Sequence, residues 1–205
     1  MIPVRIGCDE MKRTDQPLIG CVILAAGNST RFGNNKLLAQ IEGRSMIEHA
    51  FEVVPAEQLC AVSVITQYES ISKLASDYGF ECVINRHPEL GISRSVILGV
   101  QSMKDSCDGI LFLVADQPWL KRESISEILE TFRNHPGSIV CISSGGKRGN
   151  PCLFPKGYFE ELCSLSGDKG GRSVIERHKD NLILFEVDEN ELTDVDTPDD
   201  IAAYN

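Results

Sequence analysis

Short runs of apolar and β-branched residues recur along the chain and predict the buried strands of one sheet. Several stretches between them carry apolar residues three and four positions apart, which is the spacing of an amphipathic helix; 45–51 and 124–129 are examples. Strands that alternate with helices are typical of a largely parallel sheet with helices on both faces. The runs that predict strands are 19–25, 61–66, 81–85, 109–114, 138–143 and 182–187.

One stretch interrupts this periodicity. Residues 145–151 are rich in glycine and charge, and they predict a break followed by an irregular strand or hairpin at 152–155, inserted on the binding side. The pattern contains no internal repeat or linker, so we expect a single domain at 18–205 behind an N-terminal arm at 1–17. In such sheets ligands bind outside the carboxyl ends of the strands, which directs attention to the loops that follow them.

The apolar segments, the first 17 residues and the cysteines together indicate a cytoplasmic protein. At 205 residues the chain is long enough for a full core. No apolar segment is long enough to span a bilayer, and the alternating charges of 1–17 exclude a secretory signal. The eight cysteines lie at least eleven positions apart, so no local redox pair or zinc motif is present. We expect them to be small buried side chains in a reducing compartment.

The net charge of −10 is unevenly distributed. Nine acidic residues and no lysine or arginine lie in 180–205, so the preceding 179 residues are nearly neutral. The overall excess of acidic over basic residues argues against nucleic acid and against an anionic membrane surface as partners. The acids at 186–191 are expected to be in solvent, whereas those at 194–200 form a motif described below.

The loop after the first predicted strand suits a polyphosphate. Residues 25–36 combine small residues, two glycines and two hydroxyls with Arg31 and Lys36, as a backbone that approaches phosphate closely requires. The spacing of Gly27 and Gly33 fits neither a Walker A loop nor a dinucleotide fingerprint. An ordinary strand-to-helix turn with exposed charges is the alternative.

Two acidic positions are candidates for function. Asp116 directly follows the predicted strand 109–114, where a metal bound to the phosphates of a ligand would lie; the alternative is a cap for the next helix. In 194–200, Thr197 precedes Pro198 and further acids, which predicts a helix start with Thr197 as the N-cap. The acidic side chains of Asp199 and Asp200 are then explained by their favourable interaction with the dipole at the start of this helix.

Three further segments have the composition of binding loops. Gly91 gives the backbone conformational freedom before Ser93 and Ser95, and the hydroxyls of these serines can hydrogen-bond to the edge of a nucleobase. The alternative is an ordinary helix start capped by Ser93. The segments 147–151 and 167–172 contain arginines, whose guanidinium groups hold phosphate well. Ordinary surface charge is the alternative for both.

Together these motifs resemble a known family. The pattern Leu24-Ala25-Ala26-Gly27-x-Ser29-x-Arg31-x-Gly33-x-x-Lys36 resembles the signature loop of the MobA-like NTP transferases, and it is most similar to the molybdenum cofactor cytidylyltransferase (MocA-like) group. The resemblance runs from Leu18 to Asn205. It implies a Rossmann-like three-layer α/β sandwich with a mostly parallel sheet, the nucleotide-diphospho-sugar transferase fold.

The resemblance implies a role for each motif. The backbone of 26–29 wraps the triphosphate, Arg31 and Lys36 neutralise its charge, and Asp116 and Asp196 bind Mg²⁺. Ser93 or Ser95 contacts cytosine, whereas Arg148, Asn150 and Arg172 bind the acceptor. The implied catalytic residues are Lys36, Arg31 and Asp116, and the implied nucleotide-binding residues are Leu24, Ala25, Ala26, Gly27, Asn28, Ser29, Arg31, Lys36, Ser93 and Ser95.

The implied reaction is Mg²⁺-dependent transfer of CMP from CTP to the phosphate of molybdopterin, with release of pyrophosphate and transient contact with a molybdoenzyme. The alternatives are the same site with ATP, GTP or a sugar phosphate, and a non-catalytic protein that binds and delivers the cofactor. The chain departs from the family pattern at Phe32 and Ile92, where Met is usual, at Asn150 for His and at Gly171 for Ala. We expect Phe32 to affect packing alone, and the changes at 150 and 171 to bear on the acceptor.

Overall fold

The computed structural model describes residues 16–28, 32 and 35–202, which form one central sheet, a small hairpin and flanking helices. The strands are β1 Ile19–Ala25, β2 Gln40–Ile41, β3 Arg44–Ser45, β4 Ala61–Thr66, β5 Glu81–Ile84, β6 Gly109–Val114, β7 Ile139–Ser144, β8 Lys147–Pro155 and β9 Leu182–Glu186. The helices are α1 Met46–Glu52, α2 Glu69–Asp77, α3 Ile92–Met103, α4 Arg122–Asn134, α5 Phe159–Cys163, α6 Arg172–Arg177 and α7 Pro198–Ala202.

The central sheet is mostly parallel. Its seven strands lie in the order β5-β4-β1-β6-β8-β7-β9, and β8 alone runs antiparallel to its neighbours. Successive residues of β1 face opposite sides: Cys21 and Ile23 join the core beneath α1, α2 and α4, while Val22 joins the core beneath α3, α5 and α6. The predicted α/β sandwich with helices on both faces is therefore confirmed.

The region around β8 differs from its prediction. A two-residue turn at Gly145 and Gly146, with φ of 55° and 77°, joins β7 to β8 as a hairpin. The hairpin and an irregular strand were expected, but the break does not fill 145–151, because β8 is a strand of nine residues that starts at Lys147. The pairing shifts between Cys141 and Ser143, which lie opposite Cys152 and Arg148, so β8 bulges at 149–151. The hairpin of β2 and β3 was not predicted.

The segment after β9 returns across the carboxyl edge of the sheet. Glu191 is only 3% exposed and accepts hydrogen bonds from Ser124 Oγ at 2.6 Å and from the Lys121 backbone N–H at 3.1 Å. Its expected position in solvent was wrong, because the start of α4 needs acceptors for its N–H and hydroxyl groups. This contact fixes the segment that carries the aspartates at 194 and 196.

None of the described cysteines forms a disulfide. Cys21, Cys141 and Cys152 are buried in the core, and Cys107 is buried with its Sγ 3.0 Å from Sγ of half-buried Cys60. The core positions agree with small apolar roles. In the part of the chain that the structure describes, no helix combines the length and the apolar character that crossing a membrane requires.

Candidate active site

A cavity of about 300 Å³, here called the β1 cavity, opens at the carboxyl ends of β1 and β6. Its walls are the loop after β1, the start of α3 and the residue that follows β6. Most predicted nucleotide-binding residues meet there. The cavity is lined by Leu24, Ala25, Ala26, Gly27, Asn28, Lys36, Ser95 and Asp116, among others. Ser93 does not line it, and Ser29 and Arg31 lie outside the described residues.

The carbonyl groups of the loop after β1 are held by residues that follow β4. Thr66 Oγ1 donates to the Ala25 carbonyl at 2.9 Å, Gln67 Nε2 to that of Ala26 at 2.9 Å, and the Tyr68 hydroxyl to that of Gly27 at 2.8 Å. Sequence analysis missed these supports. Their position directly after a buried parallel strand is the signal that identifies them.

Phe32 and Gly27 play different parts near this loop. Phe32 packs against the core beneath α1 and α4, so its replacement of the usual Met is accommodated by packing, as predicted. A Cβ added to Gly27 would meet nothing within 4 Å. The space over this glycine is open, which leaves room for a ligand against the backbone.

Lys36 lies between two aspartates. Its Nζ is 2.8 Å from Asp116 Oδ2 and 3.2 Å from Asp196 Oδ1, and it also donates to the Val195 carbonyl at 2.9 Å. Burial acts to lower the pKa of Lys36, but the two carboxylates outweigh it and raise the pKa above its ordinary value. The ammonium is therefore charged at neutral pH. It joins Lys36 to Asp116, which lies 80 positions further along the chain, and to Asp196, which lies 160 positions further.

The two aspartates come from different local structures. Asp116 is not a helix cap, because α4 begins only at Arg122. α7 begins at Pro198 as predicted, and Asp200 Oδ2 accepts from the backbone N–H groups of Asp196 and Thr197 at 2.9 and 2.7 Å. The Val195 N–H donates to the Asp116 carbonyl at 2.9 Å, which brings the two acidic segments side by side.

These residues fit a divalent cation only when a ligand completes the site. Within the described residues no group of three or more His, Cys, Asp or Glu side chains is placed to hold a metal. Mg²⁺ takes about six oxygens and usually combines one or two carboxylates with waters and substrate phosphates. Asp116 and Asp196 already direct oxygens at one cationic group, the Lys36 ammonium. They fit a Mg²⁺ ion that arrives with a polyphosphate.

The start of α3 needs a glycine. Gly91 has a φ of +83°, and a Cβ there would lie 2.6 Å from the backbone of Gly167 and 2.5 Å from Asp168 Oδ1. The Ser93 N–H donates to the Gly167 carbonyl at 3.1 Å, and Ser93 Oγ points back to the Leu90 carbonyl at 3.4 Å. The loop before α6 is thus bound directly to the start of α3.

Ser95 lies one turn further along α3. It is buried, lines the β1 cavity and accepts a hydrogen bond from Asn85 Nδ2 at 3.1 Å. No residue in the described part of the chain accepts its hydroxyl proton. Of the two predicted serines, Ser95 is therefore the one available to a ligand in the cavity.

A second cavity of about 750 Å³, here called the β8 cavity, is bordered by Gln117, the residue after Asp116. Arg148, Asn150 and Arg172, the three predicted acceptor residues, all line it. Arg148 Nη2 donates to Glu176 Oε1 at 2.7 Å. Hydrogen bonds from Lys179 and Arg148 lower the pKa of Glu176 to about 2, so the Glu176 carboxylate that binds Arg148 stays ionised.

Two residues of the β8 cavity were missed by sequence analysis. Gln117 is buried, and its Nε2 donates to Asp194 Oδ1 at 2.9 Å. Burial raises the pKa of Asp194, and the negative charge of Asp116 raises it further. Gln117 follows Asp116 at the carboxyl end of a buried strand, which is the signal that identifies it.

The departure at Gly171 has a packing reason. A Cβ at this position would lie 2.7 Å from Cζ of Phe154, a buried residue of β8. The usual alanine would force this ring to move. Gly171 and Phe154 also line a third cavity, of about 210 Å³, together with Asn150 and Arg172, so the substitution changes the wall beside two predicted acceptor residues.

A cavity at the carboxyl edge of a mostly parallel sheet, bordered by the loop after β1 and by Asp116, lies where α/β proteins bind ligands. The model of the MobA-like NTP transferase domain matches residues 21–182, and the chain belongs to that family. It is therefore a nucleotidyltransferase.

The chain is similar to several known proteins, one of which is described as a guanylyltransferase. The purine catabolism protein PucB of Bacillus subtilis (strain 168) is 29% identical over 195 residues, which cover 89% of this chain and 93% of PucB. A probable molybdenum cofactor guanylyltransferase of Thermococcus sibiricus is 30% identical over 143 residues, or 69% and 65% of the two chains. The crystal structure of Rv0371c from Mycobacterium tuberculosis superposes with a TM-score of 0.77 at 23% identity over 91% and 97% of the chains. A structure of that protein in complex with manganese gives 0.73 at 22% over the same shares.

Proposed function

We propose that this nucleotidyltransferase transfers CMP from CTP to the phosphate of molybdopterin and releases pyrophosphate. The observation that carries the proposal is the position of Asp116. It borders the β1 cavity, its neighbour Gln117 borders the β8 cavity, and Lys36 ties it to Asp196 at 2.8 and 3.2 Å. We infer that the α-phosphorus of the nucleotide lies at this junction, between the two cavities.

The β1 cavity suits the triphosphate. The carbonyls of Ala26 and Gly27 accept hydrogen bonds from Gln67 and Tyr68, and open space lies over Gly27. Backbone N–H groups and the Lys36 ammonium are the donors that stabilise charge on phosphate oxygens. Asp116 and Asp196 would hold Mg²⁺, and the manganese complex of Rv0371c supports metal binding by a protein of this fold. When bound, the ion would neutralise negative charge on the phosphates.

The reaction needs no nucleophilic side chain. A phosphate monoester has a second pKa near ~6, so the acceptor is largely dianionic at neutral pH. One of its oxygens attacks the α-phosphorus; a P–O bond forms, and the bond from the α-phosphorus to the pyrophosphate oxygen breaks. The chain contributes positioning by Arg148 and Arg172 and stabilisation of charge by Lys36.

Ser95 supports a cytosine base. Because Ser95 Oγ accepts from Asn85, its own proton is directed away and can be donated to a ligand. Cytosine presents acceptors at N3 and O2, which match such a donor. GTP is the second candidate, because the Thermococcus sibiricus relative is described as a guanylyltransferase.

A nucleotide panel tests the proposal. Pyrophosphate release is measured with CTP, GTP, ATP and UTP, each with a phosphorylated pterin as acceptor and Mg²⁺ present. The proposal expects the highest kcat/KM with CTP. A preference for GTP would replace the cytidylyl assignment with the guanylyl one, and pterin binding without pyrophosphate release would identify a delivery protein.

A further inference from the structure

Two thiol side chains meet at the amino edge of the central sheet, the edge opposite the candidate active site. Cys60 lies directly before β4, and Cys107 lies two residues before β6. Their Sγ atoms are 3.0 Å apart, although the two residues are separated by 47 positions in the chain. The pair contains none of the residues to which the proposed function gives a role.

The two cysteines reach each other across β1. Strands β4 and β6 pair in parallel with opposite sides of β1. The Cys60 N–H donates to the Ile19 carbonyl at 2.9 Å. On the other side of β1, the Asp108 N–H donates to the Leu18 carbonyl at 2.7 Å and holds the residue after Cys107. The backbone beside each thiol is therefore bound to the start of β1.

Gly20 leaves the space in which the sulfur atoms meet. A Cβ at this position would lie 2.8 Å from Cys107 Sγ and 2.5 Å from Met103 Sδ. Because side chains alternate along a strand, Gly20 faces the same side as Val22, toward the core beneath α3. Cys107 belongs to that core and Cys60 packs against it. The missing side chain thus gives the two thiols a common position on one face of the sheet.

The two thiols differ in accessibility and in acidity. Cys60 is half-buried, so a small reagent reaches it, whereas Cys107 is only 1% exposed. The hydrogen bond with Cys60 lowers the pKa of the Cys107 thiol, although burial acts in the opposite direction. The thiolate is the form that attacks a disulfide. The accessible thiol is therefore suited to meet a reagent, and its buried neighbour is suited to react second.

We propose that Cys60 and Cys107 form a thiol–disulfide redox site whose co-reactant is a small disulfide such as glutathione disulfide. The Cys60 thiolate attacks one sulfur of the small disulfide, a mixed disulfide forms and one small thiolate leaves. The Cys107 thiolate then attacks Cys60 Sγ, which forms the bond between the two residues and releases the second small thiolate. The two small thiolates take up the two protons that the protein loses. The protein is oxidised by two electrons, and the small disulfide is reduced.

The resulting crosslink would clamp the three strands that carry the candidate active site. It joins the starts of β4 and β6 over β1, and the carboxyl ends of these strands lead to the β1 cavity. A disulfide between residues 47 positions apart restricts the unfolded chain more than the folded one. We therefore expect oxidation to raise the Tm by about 8 °C.

The test uses the wild-type protein and glutathione disulfide. After incubation under native conditions the remaining thiols are alkylated, and the peptides are identified by mass spectrometry. We expect the crosslink between Cys60 and Cys107 to be about tenfold more abundant than the mixed disulfide at Cys60, because the second sulfur is held 3.0 Å away. Dithiothreitol should restore both thiols and return the Tm to its starting value.

Two variants and a second cysteine pair serve as controls. Cys60→Ser should show neither the crosslink nor the rise in Tm. Cys82→Ser, which removes another half-buried thiol, on β5, should keep both. Cys141 and Cys152 lie opposite each other on β7 and β8 but are buried, so we expect both to remain thiols in the treated protein.

The remaining outcomes contradict the proposal. A mixed disulfide that persists at Cys60, or a protein in which both thiols stay reduced, overturns the redox site. Equal crosslinking of Cys141 with Cys152 would mean unselective oxidation and overturns it as well. A crosslinked protein with an unchanged Tm overturns the clamp on the three strands.

Discussion

The two cavities, one bordered by Asp116 and the other by its neighbour Gln117, are built in different ways. The β1 cavity has one continuous stretch of chain, 24–28, at its centre, and the rest of its wall comes from 36–37, 88–95, 114–116 and Asp168. The β8 cavity collects its wall from the residue after Asp116, the β7–β8 hairpin, α6 and the segment after β9. The first contains a local motif that sequence can encode in a few positions, whereas the second depends throughout on contacts between segments far apart in the chain.

The cations of the two cavities are also held differently. Lys36 in the β1 cavity is shared by two carboxylates, whereas Arg148 in the β8 cavity is held by Glu176 and lies near further basic residues, Lys147 and Arg172. The β1 cavity is thus arranged around one charge centre, and the β8 cavity has an excess of positive charge. Changes on the two sides are expected to separate into nucleotide and acceptor effects.

The largest effect is expected at the junction. Asp116→Ala removes the carboxylate shared by Lys36 and the metal site, and we expect kcat/KM to fall about 10³-fold, or about 4 kcal/mol of transition-state stabilisation. Pyrophosphate release measures the loss, and circular dichroism checks the fold. Asp199→Ala, an exposed acid of α7, serves as the control. Unchanged turnover of Asp116→Ala would remove this residue from the site.

The next effect is expected in the β8 cavity alone. Arg148→Ala removes a charged donor that Glu176 holds in place, so the acceptor KM should rise about 30-fold, or about 2 kcal/mol, with the CTP KM unchanged. Steady-state kinetics with each substrate varied in turn make the measurement. Arg177→Ala, which loses a surface pair with Glu161, is the matched control. An equal rise in both KM values would contradict the division of the site.

The same contrast explains what the sequence could predict. The strands β1, β4 and β6 were predicted at their observed bounds, because strands buried on both faces are continuous apolar runs. The part of the β1 cavity at 24–28 followed, since these residues are the end of β1 and the loop after it. The residues Gln67 and Tyr68 were missed because their role depends on which strand lies beside β1.

The β8 side was predicted less well for a physical reason. β8 begins with polar and glycine residues, and its pairing depends on strands contributed from elsewhere in the chain. Glu191 looked like one of many acids near the end of the chain, and nothing local marks the α4 start that buries it. The contact of Gln117 with Asp194 joins residues 77 positions apart. Long-range contacts of this kind cannot be inferred from a single sequence by periodicity.

A stability effect tests the corrected position of the C-terminal segment. Glu191→Ala leaves Ser124 Oγ and the Lys121 N–H without their acceptor, and we expect a loss of about 1.5 kcal/mol in the free energy of unfolding. Urea denaturation measures it. Glu127→Ala, at an exposed position of α4, should change stability by less than about 0.5 kcal/mol. Equal stability of the two variants would place Glu191 in solvent after all.

The smallest effect is expected behind the β1 cavity. Tyr68→Phe removes the hydroxyl that donates to the Gly27 carbonyl at 2.8 Å, so the loop loses one of the bonds that orient it. One neutral hydrogen bond contributes about 1 kcal/mol, and we expect the CTP KM to rise about fivefold with the acceptor KM unchanged. Tyr78→Phe, which loses a contact with Glu52 at 3.4 Å, is the matched control. A rise in the acceptor KM instead would mean that the loop after β1 supports both cavities, and the separation between them would then be less complete than their walls indicate.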